Sequence, residues 1–200
     1  SNFRYYNPPV LTSWEGTLIY NFSPFIYAAV KQNLAITGKG TIDGNGSELW
    51  NSWKSEQGPD QQLSRQMNHE NWPLEERMFG EGHFLRPQLM QFNECSSILI
   101  EGITITDAPF WCIHLLLSKN ITIRNVKFDA QNYNNDGIDP ESSENILIEG
   151  VIFNNRDDNI AIKSGRDAEG RRIGKPSRNI VVRNCSFKGH NAVAIGSEMS

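Results

Sequence analysis

Several features that define other classes of protein are missing from this sequence of 200 residues. It contains no apolar run of about 18 residues or more, so it predicts no membrane-spanning helix. No secretory signal peptide is recognisable, and neither end resembles a natural terminus, so we expect the chain to be a segment of a longer protein. The formal net charge of −4 is small and argues against nucleic acid as a partner.

Cysteine is scarce as well, with three residues in the chain: Cys95, Cys112 and Cys185. Their spacing matches no zinc-binding pattern, and an odd number argues against a complete disulfide framework. Cys185 occupies an apolar position of the repeat described below, which favours a small buried hydrophobic residue. The cysteines therefore point to neither a zinc site nor a domain held together by disulfides.

The chain is long enough for one domain with a sizeable hydrophobic core. Before residue 45, short runs such as 17–20 and 33–37 alternate between apolar and polar residues and predict strands. Residues 45–83 differ, since they are polar and mixed in charge, and they predict a long irregular insertion in a β scaffold. Within this insertion, residues 61–68 fit a helix.

The insertion carries three tryptophans: Trp50, Trp53 and Trp72. Long segments without strands are usually functional or mobile. In one interpretation the insertion is a surface flap whose tryptophans pack against the scaffold. In the other interpretation, one of these side chains faces a substrate.

A nine-residue pattern recurs from residue 97 onward, with copies that begin at Ser97, Asn120, Asn145 and Asn179. In every copy the second, fourth, seventh and ninth residues are apolar, and the sixth is Gly or Asn, which tolerates a left-handed bend. Each copy therefore predicts two short strands at an angle. Such a unit cannot bury a core alone, but stacked units bury one continuous apolar column. The apolar period of two and the many β-branched residues argue against a helical repeat.

The copies are spaced 23, 25 and 34 residues apart, and they predict a single all-β solenoid domain over residues 1–200. The last interval is about ten residues longer than the others. We assign the excess to residues 166–176. We expect this segment to be a loop inserted on one face of the solenoid, near the polar residues considered next.

Each unit has a polar turn that leads into a second apolar run, and these turns bring acidic residues together. The units align on four apolar residues that occupy the same place in successive turns: Ile113, Ile138, Ile160 and Val193. In that alignment Asp136 lies over Asp158, while Asn135, Asp157 and His190 form the neighbouring column. Adjacent strands are about 4.8 Å apart, so side chains one unit apart are expected to touch or to share a water molecule.

This acidic cluster is typical of acid–base chemistry. Carboxylates held so close raise the pKa of at least one member. One carboxylic acid is then able to donate a proton while a second pair binds and activates water. Two other uses stay open at this point, because each aspartate alone is typical of a turn and clustered carboxylates also bind Ca²⁺.

The polar turns also resemble a known family. Residues 134–139, 156–165 and 189–198 look like the successive signature blocks of the polygalacturonase family, glycoside hydrolase family 28. The resemblance covers nearly the whole chain and includes three further segments: 14–16, 38–46 and 109–111. It implies a right-handed parallel β-helix that hydrolyses α-1,4-galacturonosyl bonds of pectic polysaccharide or oligogalacturonide with inversion.

The resemblance also implies a role for each acid. Asp157 is similar to the general acid, and His190 is similar to the histidine that supports protonation of that acid. Asp136 and Asp158 are similar to the pair that activates water. In inverting enzymes the acid and the base lie roughly 6.5–9.5 Å apart, which leaves room for the water. The implied substrate-binding residues are Asn135, Lys163, Arg166, Arg171 and Arg172, and no metal or cofactor is implied.

Three departures from the family pattern stand out. Asn135 occupies a position where the family usually has Thr, which is a mild change. Asn191 and Ala192 follow the histidine where the family usually has Gly, which is expected to tighten or reshape the site. The family's Arg-x-Lys block, which grips the substrate carboxylate, does not occur before the chain stops at Ser200. This segment alone is therefore expected to bind uronates poorly.

The second insertion indicates a mode of action. Residues 164–168 are similar to those of exo-acting bacterial members of the family. The basic residues of 166–176 are either solvated or form a wall that blocks one end of the cleft and pairs with galacturonate carboxylates. We therefore expect exo rather than endo cleavage.

The resemblance leaves three alternatives open: another pectin-backbone hydrolase such as a rhamnogalacturonan hydrolase, a Ca²⁺-dependent pectate lyase on the same fold, or a non-catalytic carbohydrate-binding β-helix. It also implies a secreted, periplasmic or cell-surface protein. Neither the residues nor the resemblance indicate an oligomeric state.

Overall fold

A computed structural model describes residues 6–200, and most of this part of the chain winds into a parallel β-helix. In chain order the strands are β1 (Val10–Trp14), β2 (Thr17–Asn21), β3 (Ile26–Ala29), β4 (Gln32–Thr37), β5 (Thr41–Asp43), β6 (Met90–Asn93), β7 (Ser96–Glu101), β8 (Thr104–Thr106), β9 (Ile113–Leu116), β10 (Lys119–Arg124), β11 (Lys127–Asp129), β12 (Ile138–Glu141), β13 (Glu144–Glu149), β14 (Ala161–Ile162), β15 (Arg178–Arg183) and β16 (Ala194–Ile195). The α-helices are α1 (Gly58–His69) and α2 (Asp167–Ile173). Short 3₁₀ segments cover Trp50–Lys54 and Leu74–Glu76.

The largest sheet contains the first strand of each repeat, in the order β15, β13, β10, β7 and β4. Its strands are parallel, and one residue from each copy forms a continuous column: Ile98, Ile121, Ile146 and Ile180. This register confirms the one predicted from the nine-residue repeat. The structure adds an earlier copy that the sequence did not reveal, because Leu34 in β4 pairs with Ile98.

Left-handed residues at fixed positions bend each coil. The sixth position of the repeat has positive φ in every copy, at Gly102, Asn125, Gly150 and Asn184. Gly102 has no room for a side chain, because a Cβ there would meet the carbonyl oxygen of Gly38 in the neighbouring coil. The first position is left-handed too, and its asparagines form a ladder in which Asn145 Nδ2 donates to Asn120 Oδ1 at 3.1 Å.

Two further sheets complete the coils. The second strands of the repeats form a short sheet in the order β11, β8 and β5. Phe128 of β11 begins a stack that continues through Phe153 to Phe187 in the next two coils, with ring centroids 5.0 and 5.3 Å apart. The third sheet has the order β12, β9, β6 and β3, and it continues through a bridge between Ile138 and Ile160 to β14 and β16. The aliphatic and aromatic side chains that point inward form one buried column, as predicted.

A hairpin of β1 and β2 contributes to a buried polar network on the third sheet. In β12 the side chains alternate, so Ile138 points into the core while Asp139 and Glu141 lie on the outer face. The hairpin's Ser13 Oγ donates to Glu141 Oε1 at 2.9 Å, and His114 Nε2 lies 2.8 Å from Glu141 Oε2. Acidic residues on this outer face are therefore buried.

The insertion 45–83 packs on the hairpin side of the β-helix. Its residues 61–68 lie within α1, as the sequence predicted. Residues 166–176, predicted as a loop, contain the short helix α2, which ends at Gly174 with a φ of 59°. The two insertions are in contact, since Asn68 Nδ2 in α1 donates to the carbonyl of Arg166 at 2.9 Å. Among residues 6–200, no helix is both long and apolar enough to cross a membrane.

The tryptophans of the insertion pack against the scaffold, which is the first of the two interpretations. Trp50 and Trp53 are 2% and 8% exposed and lie with their ring centroids 4.8 Å apart. Phe22, which follows β2, is 6.2 Å from Trp50 and 5.9 Å from Trp53. Trp72 is partly buried, and its Nε1 donates to Glu70 at 2.8 Å. This aromatic cluster fixes the 3₁₀ segment to the body of the protein.

Candidate active site

The polar turns stack in the register that the sequence alignment predicts. Three aligned residues are paired in adjacent strands: Ile113, Ile138 and Ile160. Backbone hydrogen bonds join the turns, because the amide of Gly137 donates to the carbonyl of Asp158 and the amide of Asn159 donates to the carbonyl of Asn191, both at 2.9 Å. The acids that precede β12 and β14 and the histidine that precedes β16 therefore lie at one edge of the third sheet.

Asp157, Asp158 and His190 form the accessible part of this cluster. One polar side-chain atom from each lies within 4.8 Å of the others. The backbone amide of His190 donates to the carbonyl of Asp157 at 3.3 Å, which keeps the predicted column. The side chain of His190 is 69% exposed. Its imidazole contacts Asp158 rather than Asp157, with Nδ1 3.4 Å from Asp158 Oδ1.

Asn191, one of the departures from the family pattern, belongs to the same cluster. Its Nδ2 donates to Asp158 Oδ1 at 2.6 Å and lies 2.9 Å from Nδ1 of His190. A glycine at this position would supply neither contact. The asparagine therefore adds a hydrogen-bond donor that orients the Asp158 carboxylate and links it to the imidazole.

Asp136 is buried beneath these accessible groups, at 5% exposure. Burial raises the pKa of its carboxyl well above the usual range, and the nearby Asp139 carboxylate adds to this effect. Asp157 and Asp158 act in the same direction. The sequence predicted a raised pKa from like charges, and the structure gives the same direction with burial as the larger cause.

Asp139 is an acid of this region to which the sequence assigned no role. It is fully buried, and burial raises the pKa of its carboxyl, against the effect of the Lys163 ammonium 3.8 Å away. The Asp136 carboxyl lies within hydrogen-bonding reach of this carboxylate. A proton shared between Asp136 and Asp139 removes one of two adjacent buried charges. One feature of the sequence could have drawn attention to Asp139. The alternation of inward and outward side chains in β12 places Asp139 on the outer face of the sheet, next to the polar turns.

A buried ion network supports the two acids. Lys163 is 4% exposed, its Nζ lies 2.9 Å from Glu198 Oε2, and its ammonium lies 4.6 Å from the ring centroid of Trp111. Burial opposes its charge, but Asp139 and Glu198 raise the pKa of Lys163 above its ordinary value. Arg166 Nη2 donates to Glu198 Oε1 at 2.8 Å. Lys163 and Arg166 therefore bind carboxylates of the protein itself.

Three more residues were expected to bind substrate: Asn135, Arg171 and Arg172. Asn135 is fully buried, and its Nδ2 donates to the carbonyls of Ala108 and Phe110 at 2.9 and 2.8 Å, so it holds the turn. Arg171 is exposed at the end of α2. Arg172 Nη2 pairs with Glu169 at 2.8 Å. The structure brings together the four residues predicted as catalytic. Asn135 adjoins Asp136 in the chain, but its amide is occupied by backbone carbonyls, while Arg171 and Arg172 lie on α2.

The arrangement provides the groups for acid–base chemistry. An accessible carboxyl at Asp157 adjoins a partly exposed carboxylate at Asp158, and the buried Asp136 lies one coil away. Asp157, Asp158 and His190 also offer three ligand atoms at a separation that fits a single metal ion. The cluster lies on one edge of a parallel β-helix.

The fold and the site define a parallel β-helix protein with stacked carboxylates at one sheet edge, and sequence comparison gives its family. The profile of Glycosyl hydrolases family 28 matches residues 12–200. The chain therefore belongs to glycosyl hydrolases family 28, which confirms the resemblance seen in the polar turns.

Individual relatives agree with this assignment. A protein described as "Probable polygalacturonase" from Vitis vinifera is 31% identical over 184 residues, which cover 90% of this chain and 33% of the relative. An exo-poly-alpha-D-galacturonosidase from Dickeya chrysanthemi is 28% identical over 83% of this chain and 30% of the relative. The chain thus spans about a third of the length of the curated relatives it matches.

The solved structures confirm the fold. The crystal structure of a hyperthermoactive exopolygalacturonase from Thermotoga maritima superposes with a TM-score of 0.96 at 45% identity, over 99% of this chain and 48% of that one. The polygalacturonase from Erwinia carotovora has a TM-score of 0.62 at 23% identity and shares the fold. The predicted parallel β-helix is therefore correct.

Proposed function

We propose that this chain carries the catalytic carboxylates of an inverting glycoside hydrolase that cleaves α-1,4-galacturonosyl bonds in pectic polysaccharide. The observation that carries the proposal is the convergence of Asp136, Asp157 and Asp158 on one edge of the β-helix, in a chain of family 28. Exo-acting cleavage is proposed as well, because relatives from Thermotoga maritima and Dickeya chrysanthemi are described as exo-acting.

In this proposal Asp157 is the general acid. It is partly exposed, as a group that must reach the glycosidic oxygen has to be. Its proton passes to that oxygen as the bond to the anomeric carbon breaks. The neighbouring His190 lies within reach of the same carboxyl and supports its protonated form.

Asp136 and Asp158 hold the water that attacks the anomeric carbon from the opposite face. Asp158 takes the proton of this water, because Asn191 donates to its carboxylate and orients it. Asp136 shares a proton with Asp139 and orients the water as it attacks. The new C–O bond forms opposite the bond that breaks, so the configuration at the anomeric carbon inverts. The proposed inversion rests on membership of family 28, because a side-chain oxygen of Asp157 lies within 4.8 Å of one of Asp158, closer than the roughly 6.5–9.5 Å of inverting pairs.

Substitution of the general acid tests this assignment. Asp157→Asn keeps the size of the side chain and removes the transferable proton, so kcat on polygalacturonate is expected to fall about 10²- to 10⁴-fold. Reducing-end assays measure the loss, and circular dichroism checks that the fold is retained. A variant that still turns over at the parent rate would rule out Asp157 as the acid.

A metal-dependent lyase is the second candidate, and the three ligand atoms of Asp157, Asp158 and His190 are the observation that favours it. A lyase forms an unsaturated product that absorbs ultraviolet light and loses activity in a chelator. The proposed hydrolase releases saturated reducing ends at the same rate with and without EDTA. Ultraviolet absorbance recorded with and without EDTA therefore separates the lyase from the hydrolase.

A further inference from the structure

A cavity of about 290 Å³ opens beside Asp157 and is separate from the substrate-binding residues expected from the sequence. Its walls come from the first insertion and from the polar turns of three coils. The lining residues are Lys54, Tyr133, Asn134, Arg156, Asp157 and His190. Because Asp136 and Asp158 are not among them, the cavity lies on the acid side of the site.

Arg156 supplies one positive charge to this cavity. Its guanidinium carbon lies 3.9 Å from the centroid of the Tyr133 ring, which is a stacked cation–π geometry. Within residues 6–200, no carboxylate lies within 4.0 Å of its guanidinium nitrogens. The stacking fixes the plane of the guanidinium and leaves its N–H groups available to a ligand.

Lys54 supplies a second positive charge from the 3₁₀ segment of the insertion. Its Nζ donates to Asn134 Oδ1 at 3.2 Å, and Asn134 Oδ1 also accepts from Arg86 Nη2 at 2.7 Å. Partial burial, followed by the charge of Arg86, lowers the pKa of Lys54. In the described part of the chain, no carboxylate lies within 4.0 Å of this ammonium, although Glu15 and Asp157 act on it at longer range, so the partly desolvated charge lacks a direct ion-pair partner.

The position of Lys54 is fixed rather than loose. Its neighbour Trp53 is buried and packs against Trp50 and Phe22, so the 3₁₀ segment is held on the scaffold. Both cations line the cavity and are preorganised there, and an anionic ligand would supply a direct ion-pair partner for them. A uronate carboxylate fits both, since guanidinium binds it through paired N–H groups and ammonium binds it as a point charge.

We propose that Lys54 and Arg156 bind the carboxylate of a galacturonate residue that flanks the scissile bond, an inference that rests on the proposed function. The basic residues of α2 do not line this cavity. Recognition of the uronate next to the acid thus depends on the first insertion. A neutral sugar or a methyl ester at this position lacks the charge that the two cations require.

Steady-state kinetics of Lys54→Gln and Arg156→Gln in the whole protein test the inference. Each variant removes one charge-assisted contact, so KM for polygalacturonate is expected to rise about tenfold or more, with kcat changed less than about threefold. Lys54→Arg keeps the charge and is expected to recover part of the loss. Lys127→Gln, an exposed lysine of β11 on another face, is the matched control and is expected to leave KM unchanged.

Methyl-esterified substrate identifies the carboxylate as the ligand. Esterification is expected to raise KM of the parent protein, and this penalty is expected to shrink in the Lys54→Gln/Arg156→Gln double variant. Parent-like KM in both single variants, or an undiminished ester penalty in the double variant, would overturn the inference while the proposed function stands. Absence of any polygalacturonate hydrolysis by the parent protein would overturn the proposed function and the inference together.

Discussion

At the scale of single residues, the site is set by contacts that cross from one coil to the next. Asp158 is oriented by Asn191, which comes from the following coil. Asp136 and Asp139 are three residues apart in the chain, and both are buried with raised pKa values. The cation of Lys163, 3.8 Å from Asp139, lowers the cost of burying them.

Asn191 offers a test at this scale. Asn191→Ala removes the 2.6 Å hydrogen bond to Asp158, so the water-activating carboxylate is less well oriented. We expect kcat to fall about tenfold, because a positioning hydrogen bond to a charged group is worth roughly 1.5–3 kcal/mol. Asn191 is exposed, so the melting temperature is expected to stay within about 2 °C of the parent.

The control for that variant is Asn154→Ala. Asn154 donates to Asp129 at 2.8 Å next to the short second sheet, where no catalytic group is involved. Equal losses of kcat in the two variants would show that Asn191 has no specific role in the site.

At the scale of elements, a buried charge network fastens β14 to the second insertion and to the turn after β16. Glu198 accepts contacts from Lys163 and Arg166, while Arg77 pairs with the buried Glu169 of α2 at 2.9 Å. Breaking one partner of a buried pair leaves a charge without compensation, which is costly. The insertion is therefore joined to the site by electrostatics, in addition to packing.

Glu198→Gln tests this network. It leaves the buried Lys163 without its closest carboxylate, and we expect the free energy of unfolding at pH 7 to fall by about 3 kcal/mol. The matched control is Glu144→Gln, which breaks an exposed pair with Arg178 and is expected to cost about 0–1 kcal/mol. Urea denaturation measures both, and equal losses would contradict a special role for the buried network.

The pH dependence of the same variant has a definite sign. Burial alone would raise the pKa of Glu198, but Lys163 and Arg166 lower it below the ordinary value. A carboxylate with a lowered pKa stabilises the fold above its unfolded pKa, and this contribution is lost as the pH falls through its folded pKa. The stability difference between the parent and Glu198→Gln is therefore expected to be largest near neutral pH and to shrink in acid.

At the scale of the whole molecule, the repeat determines most of what is observed. The apolar positions at Ile98, Ile121, Ile146 and Ile180 predicted the coils and their register, and the alignment on Ile113, Ile138 and Ile160 predicted the stacking of the polar turns. A solenoid is predictable in this way because each unit contacts mainly its neighbours in sequence. Short-range rules therefore capture its long-range order.

The contacts that the two insertions make could not be predicted from the sequence. Nothing in the repeat places Lys54 near Asn134, 80 residues away, or directs Lys163 and Arg166 toward Glu198. Basic residues in a polar loop give the same sequence pattern whether they face a substrate or the protein's own carboxylates. Only the folded structure distinguishes residues that face substrate from residues that bind the protein itself. In that structure the side chains of Lys163 and Asn135 are buried.

The configuration of the first-formed product is the most direct test of the central claim. Proton NMR of polygalacturonate hydrolysis by the whole protein follows the anomeric signals before mutarotation sets in. The proposed mechanism, in which Asp136 and Asp158 hold water on the face opposite Asp157, predicts that the β-anomer appears first from an α-linked substrate. An α-anomer that appears first, or an unsaturated uronate, would contradict the account.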